Sequence, residues 1–252
     1  MQMDREGISR TTTTIIGSSF VVVFLLYFGL TTITTGEENY YKSSILNPIE
    51  IFAQAQEDKA PVVKSSKIIE FSGVNYADVL NSTNININSF TVSTWFNTEM
   101  NVTGRDVAFL LNKGGFGTER AGFNLNYGIW LDNREKVAGG FETLSGDDYY
   151  LTSQASYADG IWHNAILTFD EQLHMLKLYM DGLEVATNST NIGIIPDTTG
   201  KQPVRLGANS FTDKGVINGN YTGQLDDIQV WDYAFTKEQV ASLFDTESKI
   251  AR

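Results

Sequence analysis

The chain has 252 residues, 42% of them hydrophobic, and carries a formal net charge of -12 with a pI near 4.6. So acidic a chain excludes nucleic acid as a partner, because phosphate binding needs a Lys/Arg surface, and it argues against lying flat on an anionic bilayer. There is no cysteine and there are only two histidines, His163 and His174, which excludes disulfides, zinc-thiolate sites, Cys nucleophiles and a His-rich metal centre.

No charged residue occurs between Arg10 and Glu37. Inside that window Ile15 to Ile33 reads IIGSSFVVVFLLYFGLTTI, which at helical rise spans about 28 Å, close to the hydrocarbon thickness of a bilayer. In the near flanks, basic residues (Arg5, Arg10) lie only on the N-terminal side, so a cytoplasmic tail 1–14, a transmembrane helix 15–34 and an extracellular remainder are expected, as a single-pass cell-membrane protein. Two other readings of this segment stand beside it. It has the form of a cleaved signal peptide with Thr34-Thr35-Gly36 as the cleavage site, and Arg5 to Ser9 resembles the leader of archaeal pilin-like proteins. Residues 35–65 read as a stalk or linker, with a short helix in IEIFAQAQEDKA stopped by Pro61.

From about Lys67 the pattern changes to short strands punctuated by turns, with no repeat of 20–50 residues. Phe90–Asn97 alternates, placing Phe90, Val92, Thr94 and Phe96 on one face. Strands are also expected over Asp106–Lys113, Gly122–Asp132, Ile161–Phe169 and Leu173–Met180. Asp181-Gly182 then makes a hairpin turn into LEVAT, and PVRLGA and GQLDDIQVWD complete the set. The fold class is therefore all-β, a two-sheet antiparallel sandwich over residues 66–252. One short C-terminal helix is expected, opened by a Thr236/Gln239 capping box ahead of Val240, Leu243 and Phe244.

Gly160 to Asp170 (GIWHNAILTFD), followed by Leu176 to Gly182 (LKLYMDG), resembles the core signature of laminin-G-like jelly rolls of the concanavalin A-like lectin/glucanase superfamily. Phe90 to Trp95 resembles the early strand of that family. Leu206-Gly207, Gly223 to Trp231 and Ala234 to Val240 resemble its closing strand and helix. The resemblance covers roughly residues 67 to 246 and implies a jelly roll. It does not imply one function, because the superfamily hosts lectins, adhesion modules, enzymes and spacers.

In related jelly rolls an acidic residue on the closing strand meets the N-terminal loop and holds a structural Ca²⁺. The matching residues here are Asp226, sharing the core-side face with Ile228 and Val230, and the loop Gly73-Val74-Asn75. The alternative is that Asp226 accepts backbone N–H groups from that loop. Glycosidase chemistry needs two carboxylates about 5 to 9.5 Å apart, and the Glu-x-Asp-x-Glu string of the glucanase relatives is missing. His163 reads as a structural histidine, and no Gly-x-Ser-x-Gly elbow is present. Sugar binding needs exposed aromatic rings beside polar groups. Phe116, Tyr149, Tyr150 and Tyr157 are read as loop aromatics, with Asp147, Asp148 and Asn133 beside them; the alternative is that Tyr149 and Tyr150 form part of a strand and cover the core. Four sequons, at Asn81, Asn101, Asn188 and Asn220, fall in expected loops or strand ends and are candidates for glycosylation.

The function expected from these features is a membrane-anchored extracellular binding or adhesion module for glycan or a surface protein, without catalysis. A structural cell-envelope spacer and a divergent glycan hydrolase are the alternatives.

Overall fold

The structure, a computed structural model, describes residues 59–79, 85–102, 107–115, 120–191, 193–209 and 218–250. The tail 1–14, the expected membrane segment 15–34 and the stalk up to residue 58 lie outside the described residues. Among the described residues no helix is long and apolar enough to cross a membrane.

In chain order the strands are β1 (Val63–Ser65), β2 (Ile69–Ser72), β3 (Ala77–Val79), β4 (Phe90–Asn97), β5 (Val107–Lys113), β6 (Tyr127–Asp132) and β7 (Lys136–Glu142). They continue as β8 (Asp148–Ser156), β9 (Trp162–Asp170), β10 (Met175–Met180), β11 (Leu183–Ser189), β12 (Val204–Leu206) and β13 (Thr222–Trp231), followed by one helix, α1 (Lys237–Glu247). They form two antiparallel sheets. The first, of seven strands, runs β1-β13-β4-β9-β10-β11, with β2 also on β13. The second, of six, runs β3-β12-β5-β6-β7-β8. Because β1 pairs with the closing strand, the sandwich already begins inside the segment read from sequence as stalk.

The core lies between the sheets. From the first sheet it takes Phe90, Val92, Phe96, Leu167, Phe169, Leu178 and Val230, and from the second Leu110, Tyr127, Ile129, Val137 and Phe141, all 2% exposed or less. The rings of Phe141 and Phe169, on opposite sheets, lie 4.5 Å apart, with Phe90 packed 5.9 Å from Phe169. Each such ring removes enough apolar surface from water to contribute about 2–3 kcal/mol.

The outer face of the first sheet is covered by α1. Its capping box forms as the sequence indicates: Thr236 Oγ1 accepts from Gln239 N at 3.3 Å, and Thr236 N donates to Gln239 Oε1 at 2.8 Å. Val240 packs on Ile166 and Tyr179, and Phe244 stacks on Trp95 at 5.6 Å. The buried Glu247 accepts from Trp95 Nε1 at 2.7 Å and from the Gln229 side-chain amide, so the helix end is tied to β4 and β13.

One element departs from simple alternation. The pairing of β13 with β4 shifts between Asp226 and Gln229, and Asp227 sits at φ 44°. The extra residue of this β-bulge reverses the facing of everything beyond it. Leu225, Ile228 and Val230 all reach the core, so Asp226 falls on the opposite face, paired in register with Trp95. The expectation that Asp226 shares a face with Ile228 and Val230 is thereby corrected.

At one end of the second sheet Lys113, 1% exposed, points to the core side. Its ammonium donates to the carbonyls of Gln202 at 2.9 Å and Gly200 at 3.3 Å, tying the 200–202 segment to β5. Burial pushes Lys113 down to about 8 from an ordinary 10.5, against the attraction of Asp197. The folded state therefore holds fewer protons than the unfolded chain between those values, and stability rises with pH across that window. Denaturant midpoints are expected to rise between pH 8 and 10 by an amount worth roughly 2–3 kcal/mol, and Lys113→Met to abolish the rise. A wild-type midpoint that stays flat across this range would contradict the lowered Lys113 pKa.

Candidate functional site

The sheet face left without a helix is the outer face of the second sheet. Its facing follows from the core: Phe141 and Tyr149 point inward and stack at 5.5 Å, so Glu142, Asp148, Gly140 and Tyr150 point outward. Two rows of residues cross the strands here. One runs Asn112, Gly128, Gly140, Tyr150, and the next runs Phe109, Trp130, Ala138, Thr152, each residue in register with its neighbour.

The second row carries a small apolar layer of its own. Phe109, Leu125, Trp130 and Ala138 pack together and are 3% exposed or less. Tyr150 stands beside this layer, its ring 6.1 Å from Trp130, and remains 53% exposed. Gly140 makes its position attainable: a Cβ there would lie 2.1 Å from Tyr149 O and 2.6 Å from Tyr150 Cα, so only glycine lets β8 approach this closely. An exposed phenol ring beside this layer, with Asp148 two residues away on the same face, offers a flat apolar surface next to a hydrogen-bond acceptor.

Of the residues read from sequence as a ligand site, the structure keeps Tyr150 and Asp148 together on this face and turns Tyr149 into the core. The segment is strand β8 and not a loop, which corrects the loop reading. Phe116 lies outside the described residues. Trp130 and Gly140 were not singled out from sequence, although the inward Val137 and Phe141 of KVAGGFE carry the alternation that places Gly140 outward.

The three residues read as a cation site are not brought together. The Gly73–Asn75 turn sits against Thr222, where a Cβ on Gly73 would lie 2.8 Å from Thr222 Oγ1. Asp226 lies four residues further along β13, about 13 Å away. Asn75 closes its own turn, accepting from Ser72 N at 2.7 Å and donating to Glu70 O at 2.9 Å. Asp226 Oδ1 accepts from Asp227 N at 2.8 Å across the bulge. Among the described residues no group of three or more His, Cys, Asp or Glu side chains gathers in a metal-binding arrangement.

One carboxylate pair stands in register here, Glu142 and Asp148, opposite each other across β7 and β8. Cross-strand neighbours of this kind have Cβ atoms about 5 Å apart, in the range of a glycosidase pair. Glu142, however, is 1% exposed and its Oε2 accepts from Leu125 N at 2.7 Å, so this side chain is committed to the fold and out of reach of a glycosidic bond.

His163 is bracketed by two carboxylates. Nδ1 lies 2.8 Å from Asp181 Oδ2 and Nε2 lies 3.2 Å from Asp159 Oδ1, with the Tyr157 ring edge-on at 4.9 Å. Asp181, at φ 51° in the β10–β11 turn, also accepts from Asn164 N at 2.9 Å. Neutral imidazole has one N–H, so both contacts are hydrogen bonds only when the ring is protonated. Burial works against that charge, but Asp181 and Asp159 outweigh it and raise the His163 pKa above 6.5, while the Asp159 carboxyl is lowered from 3.8 despite its desolvation by the Ile161 N–H and His163. The cluster pins a loop and a hairpin to the end of β9.

Of the sequons, Asn101 is exposed, Asn188 is exposed on edge strand β11, Asn220 is half-buried beside the buried Tyr221, and Asn81 lies outside the described residues.

Two antiparallel sheets packed face to face, one of them capped by a helix, define a jelly-roll domain. The chain belongs to the concanavalin A-like lectin/glucanases superfamily, whose laminin-G profile matches residues 71–241. Among solved structures it is similar to the CBM40 of Ruminococcus gnavus IT-sialidase bound to α2,3-sialyllactose, with a TM-score of 0.58, 16% identity, and coverage of 73% of this chain and 100% of that one. It is also similar to part of the NanB sialidase from Streptococcus pneumoniae, with a TM-score of 0.57, 16% identity, and coverage of 73% of this chain and 28% of that one. At such identities the likeness is one of fold. Among curated proteins, Pappalysin-1 of Mus musculus and of Homo sapiens is 30% identical over 98 residues, 38% of this chain and 6% of theirs, so the chain matches only a small part of those relatives.

The His163 cluster yields a signed pH dependence. A raised imidazole pKa contributes stability that is complete below 6.5 and is lost as pH rises through the raised value; the lowered Asp159 contributes above 3.8 and is lost in acid. The stability difference between wild type and His163→Gln is therefore expected to be largest between about pH 4 and 6.5 and to shrink above it. Urea midpoints measured across pH 4 to 9 check this, and a constant difference would show that the ring does not carry the charge.

Proposed function

We propose that this domain is a non-catalytic glycan-binding module, with Tyr150 as the stacking ring and Asp148 as hydroxyl acceptor. The observation that carries the reading is Tyr150, 53% exposed on a sheet face where its neighbours Trp130, Phe109 and Leu125 are buried. A large ring left in water over an apolar layer is a contact surface in waiting. Membership of a superfamily named for lectins and glucanases supports it, as does fold likeness to a CBM40 bound to α2,3-sialyllactose. The commitment of Glu142 to Leu125 N supports binding over hydrolysis.

The uncharged run Ile15–Ile33 supports display of the module on the outer side of a cell membrane, N-terminus inside, and the exposed Asn101 and Asn188 are the sequons best placed there to carry glycans. A glycan array probed with the purified protein is expected to give specific positives, and Tyr150→Ala to weaken them about tenfold, equivalent to 1.4 kcal/mol. A blank array at high protein concentration, or Tyr150→Ala binding as well as wild type, would sink this assignment.

A further inference from the structure

We infer that the Tyr150 face selects neutral glycans and disfavours sialylated ones, unlike the CBM40 it is similar to in fold. This rests on the glycan reading of that face. The charges around the ring carry the inference. Asp148 is exposed and lies two residues from Tyr150 on the same side of β8, about 7 Å along the strand. Opposite Asp148 in register stands Glu142, buried and committed to Leu125 N, so Asp148 is the carboxylate a ligand on this face meets. A pyranose stacked on Tyr150 thus meets an acceptor that takes its hydroxyl protons, whereas a sugar carboxylate at the same place meets a like charge.

Four described cations stand on this side; Arg120, in the loop whose Asn124 donates to Thr143 O at the β7–β8 turn, holds its guanidinium over the Phe123 ring at 4.5 Å, and the other three are distant or paired. Arg205 lies in the same cross-strand row as Tyr150, beyond Asn112, Gly128 and Gly140. Its fork is closed on Asp78, Nε to Oδ1 at 2.7 Å and Nη2 to Oδ2 at 2.9 Å; Nη1 donates to Asn209 O at 3.1 Å, and the guanidinium covers the Tyr76 ring at 4.0 Å. Lys136 pairs with Ser156, six residues from Tyr150 along β8 and about 20 Å away. Arg134 is taken by Asp132, with Nη2 to Oδ2 at 2.7 Å. The net charge of -12 adds a long-range field of the same sign as Asp148.

The test is an array of matched pairs, the same neutral cores with and without a terminal sialic acid, probed at low salt with the full chain and two variants. Wild type is expected to bind neutral members and to bind their sialylated partners roughly 3- to 50-fold more weakly, the range set by one like charge at about 7 Å in media between water and protein surface. Asp148→Asn is expected to move the two classes in opposite directions, weakening neutral members and strengthening sialylated ones. Tyr150→Ala is expected to lose both, which locates binding on this face. Equal or tighter wild-type binding of sialylated members overturns the inference and leaves the glycan reading standing. So does a parallel loss of both classes in Asp148→Asn, which would mean a structural role only. Binding to no member overturns both.

Discussion

The contact between Phe141 and Phe169, ring to ring at 4.5 Å across the two sheets, sets the facing of everything around it. Side chains alternate along a strand, so an inward Phe141 forces Gly140 and Glu142 outward, and the antiparallel register passes the same choice to β8. Tyr149 then has to join the core and Tyr150 has to leave it. A slip of one residue between β7 and β8 would exchange the two tyrosines, bury Asp148 and remove the candidate site entirely. The site is thus a by-product of core packing, held by the same burial energy that holds the sheets together.

The two outer faces are treated differently. The first sheet presents polar side chains outward, including Thr91, Ser93, Asn164 and Gln229, and α1 covers them, satisfying part of their hydrogen bonding through Glu247 and the backbone near Tyr233. The second sheet presents a small apolar layer with Tyr150 beside it and glycine at two adjacent positions, Gly128 and Gly140. A covered polar face and an aromatic-bearing face with a narrow glycine floor are opposite solutions on one scaffold. The aromatic-bearing one leaves its ring, Tyr150, in water.

The sandwich class, the turn at Asp181-Gly182 and the capping box at Thr236 were legible from the chain because each depends on local chemistry: alternation, left-handed tolerance at a turn, and reciprocal hydrogen bonding at a helix start. Strand β8 was less legible because Asp148, Tyr149 and Tyr150 follow a turn at Ser145-Gly146 and look like its continuation. The Asp226 reading failed for a different reason. Alternation counted along GQLDDIQVWD puts Asp226 with Ile228, but the bulge at Asp227 adds a residue and reverses the count. A bulge is set by pairing with β4 and leaves no mark in the isolated strand. His163 was legible as structural, yet its two carboxylate partners come from separate loops that only the fold brings together.

The pairing of β1 with the end of β13 has a mechanical consequence. Val63 lies against Val230, and the chain leading back from β1 and the chain leading on from β13 leave the sheet at the same corner, clipped together by Lys59 on Asp232 at 2.6 Å. Tension pulling those two segments in opposite directions loads one backbone rung at a time, as in opening a zipper, rather than shearing the whole strand at once. On the C-terminal side the pull meets the helix first, held by Val240 on Ile166 and Tyr179, the ring stack at Trp95 and the buried Glu247. A domain built this way yields stepwise to a pull along its chain.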